Sequence, residues 1–418
     1  MKLIYQVAIL LYAGLLKAIA PFNAKAKLWV NGRYNWKIRQ QQLYDANANY
    51  IWIHCASLGE FEQGRPVIEA IRETYPHLKI VLSFFSPSGY EIRKNYNRVD
   101  AVVYLPLDTP ANAKAFLEIW KPKAALFIKY EFWLNYLEQL HLLTIPTFLI
   151  AANFRANQLF FKWYGGLFLK ALKAYSLIVV QNERSLNLLA KYNVKKVIQA
   201  PDTRFDRVQA VANQTGTATE MQDFIDKYKV FMVGSAWLAD LKQLTAVLNS
   251  PLAAEWKFVI VPHEIDEETL NQLNTLYNQQ AVFYTRLATY STVELQQAKV
   301  LIVDVMGQLA AMYRIAAIVF VGGGFGKSIH NILEPGVYGL PIIIGPKHHK
   351  FQEALDLIAK GGVVGVNNAQ DILNCFEKWQ NEALRRQTGA INSKYIQANL
   401  GGTSIIMNHL QSVLQSIA

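Results

Sequence analysis

Ile51-Trp-Ile-His-Cys-Ala-Ser-Leu-Gly-Glu60, running into Phe61-Glu-Gln-Gly-Arg-Pro66, is the stretch on which the fold turns. Ile51–Ala56 is short and apolar on both faces, and Ser57 and Gly59 form a tight exit turn before a helical stretch. A strand buried on both faces that feeds a helix is the opening of a β–α–β crossover unit. Runs of the same kind recur at Lys79–Phe84, Ala101–Leu105, Ala124–Ile128, Pro146–Ala151 and Ser176–Gln181. A polar stretch, Val211–Glu220, lacks large apolar residues and reads as a linker. The alternation then restarts at Val230–Ser235, Lys257–Val261, Ala281–Tyr284, Val300–Asp304, Ala317–Gly322, Pro341–Gly345 and Gly362–Val366. Two doubly wound, Rossmann-like α/β domains in tandem are therefore predicted. Ligands of such sheets bind beyond the C-terminal ends of the strands, which is where functional residues are expected.

The totals fit this reading. A chain of 418 residues, 52% hydrophobic and 17% charged, suits two ordinary domains and excludes disorder. Two cysteines, Cys55 and Cys375, support neither a disulfide framework nor a cysteine metal site, which favours a reducing compartment. The net charge of +11 points to nucleic acid, anionic lipid or an acidic substrate. Its distribution favours lipid. Met1–Tyr44 contains no Asp or Glu but holds Lys2, Lys17, Lys25, Lys27, Arg33, Lys37 and Arg39. The chain carries no nucleic-acid-binding signature, so no nucleic-acid partner is expected.

Val7–Leu16 is an apolar run flanked by Gln6 and Lys17. It reaches the roughly 20 residues that span a bilayer only if both flanks are tolerated. Ala18-Ile19-Ala20 imitates a signal-cleavage site, but Pro21 argues against cleavage. Residues 1–44 are thus predicted to be a membrane-seated helix followed by a basic collar drawn to an anionic leaflet; the alternative is an ordinary packed helix.

Three segments after strands carry chemistry. Glu60 falls in the first helical turn after Ile51–Ala56, where a carboxylate can act as a general base or merely complement the helix N-terminus. Val321-Gly-Gly-Gly-Phe-Gly-Lys-Ser328 imitates a P-loop, but that motif needs glycine at 321, and the dinucleotide pattern needs glycine at 327. What survives is a loop free of side chains beside an expected helix start, where an anion can approach backbone N–H groups. His330 and Asn331 are expected to open that helix, with Glu334 one turn on along the same face, suited to a sugar or ribose. His348-His349 lacks further ligands at metal spacing, so no metal and no cofactor are expected. Trp52, Trp133, Trp163 and Trp237 read as packing residues.

Taken together, these segments resemble the Kdo transferases, which add 3-deoxy-D-manno-octulosonic acid to the lipid A precursor. The resemblance covers nearly the whole chain. Leu28-Trp-Val-Asn-Gly-Arg33 with the preceding helix resembles the family's membrane anchor. Ser57-Leu-Gly-Glu60 matches its SxGE motif, which implies Glu60 as catalytic base. Tyr130-Glu131-Phe-Trp133 resembles the family's segment that pairs a glutamate with a following tryptophan, with Glu131 as its carboxylate, and Asn153-Phe-Arg155 resembles its N-x-R. Pro262-His-Glu264 stands where the family has Pro-Arg-His, Asp304-Val-Met306-Gly307 matches D-x-M-G, and Gly322-Gly323-Gly324 with His330-Asn-Ile-Leu-Glu334 matches GG…HNxLE, which holds the cytidine nucleotide. Two departures stand out: His263 replaces an arginine, and Ala236-Trp-Leu-Ala239 follows Ser235 where the family has a Thr/His-rich turn.

The resemblance implies a GT-B fold, two Rossmann-like domains facing a cleft, and inverting transfer from CMP-Kdo at the cytoplasmic face of the cell inner membrane. Implied on the acceptor side are Ser57, Gly59, Glu131 and Arg155 with Glu60 as base. Implied on the donor side are Ser235, His263, Met306, Gly307, Gly323, Gly324, Lys327, Asn331 and Glu334. The expected layout is anchor and collar at 1–44, acceptor domain at 45–210, linker at 211–228, donor domain at 229–390 and a C-terminal helix at 391–418 crossing back towards the first domain. The rival functions are a UDP-sugar lipid glycosyltransferase of the same fold, and a non-catalytic membrane-associated nucleotide-sugar-binding protein.

Overall fold

The computed structural model describes residues 2–129, 132–214 and 219–418. The chain forms two compact units, one running to Arg207 and taking in Leu400–Ala418, the other Val208–Asn399.

The first unit is built on seven parallel strands: β1 Tyr50–Cys55, β2 Lys79–Phe84, β3 Ala101–Tyr104, β4 Ala124–Ile128, β5 Thr147–Ala152, β6 Leu177–Val180 and β7 Val197–Gln199, in the order β3-β2-β1-β4-β5-β6-β7. Side chains alternate across the sheet, which is why these strands are apolar on both faces. Tyr50 and Trp52 enter one core layer, with Phe116, Trp120 and Tyr136. Ile51, Ile53 and Cys55 enter the other, with Phe61, Ile68 and Ile71 of the helix Leu58–Thr74. Strand β7 had not been expected; it has three residues, none of them buried, and so leaves no hydrophobic pattern to read.

The second unit repeats the plan with β8 Lys229–Ala236, β9 Trp256–Pro262, β10 Ala281–Phe283, β11 Val300–Ile302, β12 Ile318–Val321, β13 Ile342–Ile344 and β14 Val363–Gly365, in the order β10-β11-β9-β8-β12-β13-β14. The fold is α/β of the GT-B class, as expected. In each sheet the chain leaves the first strand in one direction and later returns to its other side. The reversal lies between β1 and β4 in the first unit and between β8 and β12 in the second, the place where open α/β sheets bind ligands.

Three expectations are corrected. Residues 211–213 of the anticipated linker are the last turn of the helix Thr203–Asn213. The single helix expected over 391–418 is two, Glu382–Ala398 and Gly402–Ile417. Gly401, at φ +97°, makes the break, and the Asp206 carboxylate accepts the N–H of Gly401 at 2.7 Å and of Thr403 at 2.6 Å. The second of these helices then places Ile406, Leu410 and Leu414 in the same layer as Ile51 and Ile53.

The third correction concerns the N-terminus. Lys2–Ile19 is a helix long and apolar enough to cross a membrane, and only Ala13 in it is buried. Ala24–Gly32 and Trp36–Leu43 follow. Arg33, expected among the collar cations, is tucked inside. Its guanidinium donates to the carbonyls of Trp29, Leu105 and Phe85 and lies 4.0 Å from the centre of the Trp29 ring. Burial pushes its pKa down to about 9, which leaves it charged at neutral pH.

Candidate active site at the strand ends

In the first unit, β1 ends at Cys55 and the helix Leu58–Thr74 begins three residues later with Ser57 as its cap residue. Glu60 therefore sits in the first turn, where the helix dipole favours an anion. Its carboxylate accepts the N–H of Ala56 at 2.6 Å and remains partly exposed. Gly59 is exposed, and a side chain there would meet nothing within 4 Å, so the approach to this turn is open. Beneath it lies a buried polar group. His54 Nδ1 is 2.8 Å from Ser83 Oγ, which also accepts from Trp52 Nε1 at 2.7 Å. The Trp133 ring stands edge-on to His54 with centroids 5.6 Å apart. Burial pushes the His54 pKa down to about 3, against the pull of Glu60, so this imidazole is neutral at physiological pH. Arg155 is exposed beyond β5, two strands from β1, and its N–H donates to Gln158. Glu131 lies outside the described residues.

The second unit holds the same construction. β8 ends in Ser235-Ala236, Trp237 caps the helix Leu238–Leu248, and Asp240 stands in its first turn. Cys55-Ala-Ser-Leu-Gly-Glu60 and Ser235-Ala-Trp-Leu-Ala-Asp240 are thus equivalent segments, each ending in an acid at the third helical position. Their carboxylates differ in environment. Asp240 is fully buried, and its Oδ2 accepts the N–H of Trp237 at 3.0 Å and of Gly323 at 2.7 Å, while Oδ1 accepts that of Phe325 at 3.2 Å. This corrects the reading of the glycine loop as an open anion cradle, because two of its N–H groups are held by a carboxylate of the chain itself. Asp240 was missed because a single acid on a helix carries no signal until the repeat of the β1 exit is noticed.

The glycines serve close packing. A side chain on Gly322 would lie 2.4 Å from the Ser235 carbonyl, one on Gly323 2.2 Å from the Ser328 carbonyl, and one on Gly324 2.5 Å from Gly345 Cα. Gly323 also needs its φ of +91°, and Ser235, at φ +51°, takes the left-handed conformation where β8 shifts register against β9. The helix expected to open at His330 is a single turn, Leu333–Gly336, ending at Pro335-Gly336. Asn331 precedes it, with Oδ1 accepting from the Leu333 N–H and Nδ2 donating to Glu334 Oε1, both at 3.1 Å. The structure therefore brings Asn331 and Glu334 together by a hydrogen bond at the entry to this turn, and not along one face of a helix opened by His330.

Three rings gather at the ends of β8, β9 and the glycine loop. Trp237 stacks on His263 with centroids 4.6 Å apart, and His263 stacks on His330 at 4.3 Å. Trp237 Nε1 donates to His330 Nε2 at 3.0 Å. Trp237 thus packs within the protein, as expected, and its partners are imidazoles because β8 ends beside β9 and the two loops leave side by side. Trp163, also expected to pack, is 95% exposed. Burial lowers the pKa of His263, against Glu264, and pushes that of His330 down to about 4, with His263 adding to the fall. Both rings are neutral at pH 7, and the cations near these strand ends come from elsewhere. Lys327 is exposed and lines, with Trp237, Pro262 and Glu264, a hollow of about 500 Å³. Met306 is 70% exposed and Gly307 has φ +88°, both past the end of β11.

Comparison with known proteins shows what the chain is similar to. A family model described as 3-deoxy-D-manno-octulosonic-acid transferase (kdotransferase) matches residues 32–207, which include Ser57, Gly59, Glu60 and Arg155. The 3-deoxy-D-manno-octulosonic acid transferase of Haemophilus influenzae is 27% identical over 97% of this chain and 93% of its own. That of Aquifex aeolicus is 26% identical over 75% of this chain and 80% of its own. Among solved structures, UDP-GlcNAc 2-epimerase from Neisseria meningitidis has a TM-score of 0.60 at 17% identity, covering 87% of this chain and 100% of that one. Acinetobacter baumannii MurG has 0.53 at 11%, covering 87% and 99%. These two share the fold alone. The match over residues 32–207, together with the relative that spans nearly the whole length, leads to one conclusion: the chain is similar along nearly its whole length to 3-deoxy-D-manno-octulosonic acid transferases and is a glycosyltransferase.

Proposed function

We propose that this glycosyltransferase moves Kdo from CMP-Kdo to a hydroxyl of a lipid A precursor, with inversion, at the cytoplasmic face of the inner membrane. The observation that carries the reading is the contrast between its two first-turn acids. Asp240 is buried and spent on backbone N–H groups, whereas Glu60 is partly exposed beneath an open approach. A sugar hydroxyl is far too weak an acid to ionise at pH 7, so a carboxylate must take its proton as attack proceeds. The acceptor oxygen then bonds to the anomeric carbon, the bond from that carbon to the CMP phosphate breaks, and CMP leaves with the electron pair. The leaving group is one phosphate ester, which N–H donors and Lys327 suit; Asn331 and Glu334 suit ribose hydroxyls.

The N-terminal helix supports a membrane role of a particular kind. Its contacts lie along its length: Lys2 with Glu138, Tyr5 with Asp108, and Tyr12 with Trp29 at a centroid distance of 5.9 Å. A helix so tied lies along the first unit, with Leu3, Ile4, Leu10, Leu11 and Leu15 facing outwards. We read it as seated in the membrane interface rather than spanning it. The test is turnover with CMP-Kdo and a lipid A precursor, alongside competition by CMP and UDP. Kdo transfer with release of CMP, and preferential binding of CMP, are expected. Tighter binding of UDP, or transfer from a UDP-sugar, would overturn the reading.

A further inference from the structure

The indole N–H of Trp237 is a donor only, so the His330 Nε2 it meets at 3.0 Å must be an acceptor. A neutral imidazole then carries its proton on Nδ1. Protonation of Nε2 would aim a second N–H at the indole N–H, so the contact opposes the imidazolium as well as the other tautomer. The His263 ring lies against both, with its centroid 4.6 Å from that of Trp237 and 4.3 Å from that of His330, and holds the hydrogen-bonded pair in place. Gly323 lies against the edge of His330, where an added Cβ would sit 3.0 Å from Cδ2. His330 Nδ1 takes no hydrogen-bond partner among the described residues, and the ring is only half-buried. A proton is thus fixed on a nitrogen that faces no protein acceptor, at the strand ends where a doubly wound sheet takes its ligand.

We propose that Trp237 is a positioning residue for the donor: by holding His330 Nε2 as an acceptor, it presents Nδ1–H to a phosphate oxygen of the bound nucleotide. This rests on the reading of the second unit as the CMP-Kdo site. The donor phosphate then receives a directed, neutral hydrogen bond at a place where both imidazoles are uncharged.

The test is Trp237→Phe, which keeps an aromatic face for His263 and removes only the N–H. Two quantities are read on full-length protein. One is the His330 tautomer, from long-range 15N–1H spectra of ligand-free, histidine-labelled protein, assigned with His330→Ala. The other is CMP affinity by calorimetry. The wild type should show the Nδ1-protonated form, and Trp237→Phe should shift His330 towards the Nε2-protonated form and weaken CMP binding about fivefold, the scale of one neutral hydrogen bond. In a His330→Ala background the same substitution should change CMP affinity less than twofold, since a residue acting through His330 has nothing left to position. An unshifted tautomer, an unchanged CMP affinity, or an equal loss in the His330→Ala background would each overturn the proposal. Failure of the wild type to bind CMP would instead overturn the donor reading, and the ligand-free spectra would still decide whether Trp237 fixes the ring.

Discussion

Glu60 and Asp240 occupy the same position in two copies of one structural unit and differ in burial and in the N–H groups they accept from; the proposed role of base falls to Glu60. Glu60→Gln removes the proposed base with little change in volume. Turnover is expected to fall by roughly 100- to 10,000-fold with CMP affinity unchanged, measured by steady-state kinetics and calorimetry on one preparation. Near-normal turnover would mean that Glu60 only complements the helix N-terminus. Asp240→Ala should behave in the opposite way. It leaves the N–H groups of Trp237, Gly323 and Phe325 without their acceptor, at a cost of about 1–3 kcal/mol for each donor that stays buried. A lowered denaturation midpoint with weakened CMP binding is expected, and a variant as stable as the wild type would show that the glycine loop holds its shape without that carboxylate.

At the scale of elements, the helix Lys2–Ile19 buries only Ala13, and its Tyr5 hydroxyl donates to Asp108. Removal of residues 1–20 should therefore leave both sheets folded and CMP binding intact, while binding to anionic vesicles drops. Loss of the cooperative unfolding transition on truncation would instead make the helix part of the core. Asp108 adds a pH dependence. Burial raises its pKa to about 6, even though the Tyr5 hydroxyl and the N–H groups of Asn135 and Tyr136 favour the anion. Between an ordinary Asp pKa of about 3.9 and this value the folded chain binds more protons than the unfolded one. The contribution of Asp108 to stability is thus full below about pH 4 and is lost as pH rises through about 6. Asp108→Asn should abolish it, so the stability difference, wild type minus variant, should be larger at pH 5 than at pH 7. An equal difference at the two pH values would refute the assignment.

For the whole molecule, the proposed membrane attachment is expected to depend on net charge and its placement. Of the cations in the first 44 residues, Arg33 is enclosed by aromatic rings and Lys2 is paired with Glu138, which leaves Lys17, Lys25, Lys27, Lys37 and Arg39 to meet an anionic surface. Attachment to anionic vesicles should weaken as salt rises from 0.05 to 0.5 M but not vanish, a range over which the screening length falls from about 14 to about 4 Å, because the exposed leucines do not respond to salt. Complete release would assign attachment to charge alone, and no release to the apolar face. Thirteen of the fourteen strands and the two-sheet plan were legible in the sequence, because a strand buried on both faces must be apolar throughout and punctuated by turns. The positions of Glu60, Asn331 and Glu334 after a strand or glycine loop were legible too, because each follows one at a short, fixed distance along the chain. What only tertiary structure decided arises between segments far apart in sequence. The β8 exit, the β9 exit and the glycine loop bring Trp237, His263 and His330 into one cluster, across 26 and 67 residues of chain. The same folding closes the Asp240 carboxylate onto Gly323 and Phe325, 83 and 85 residues away. Periodicity records which face of an element is buried, but not which neighbour buries it, and these partners were set by strand order.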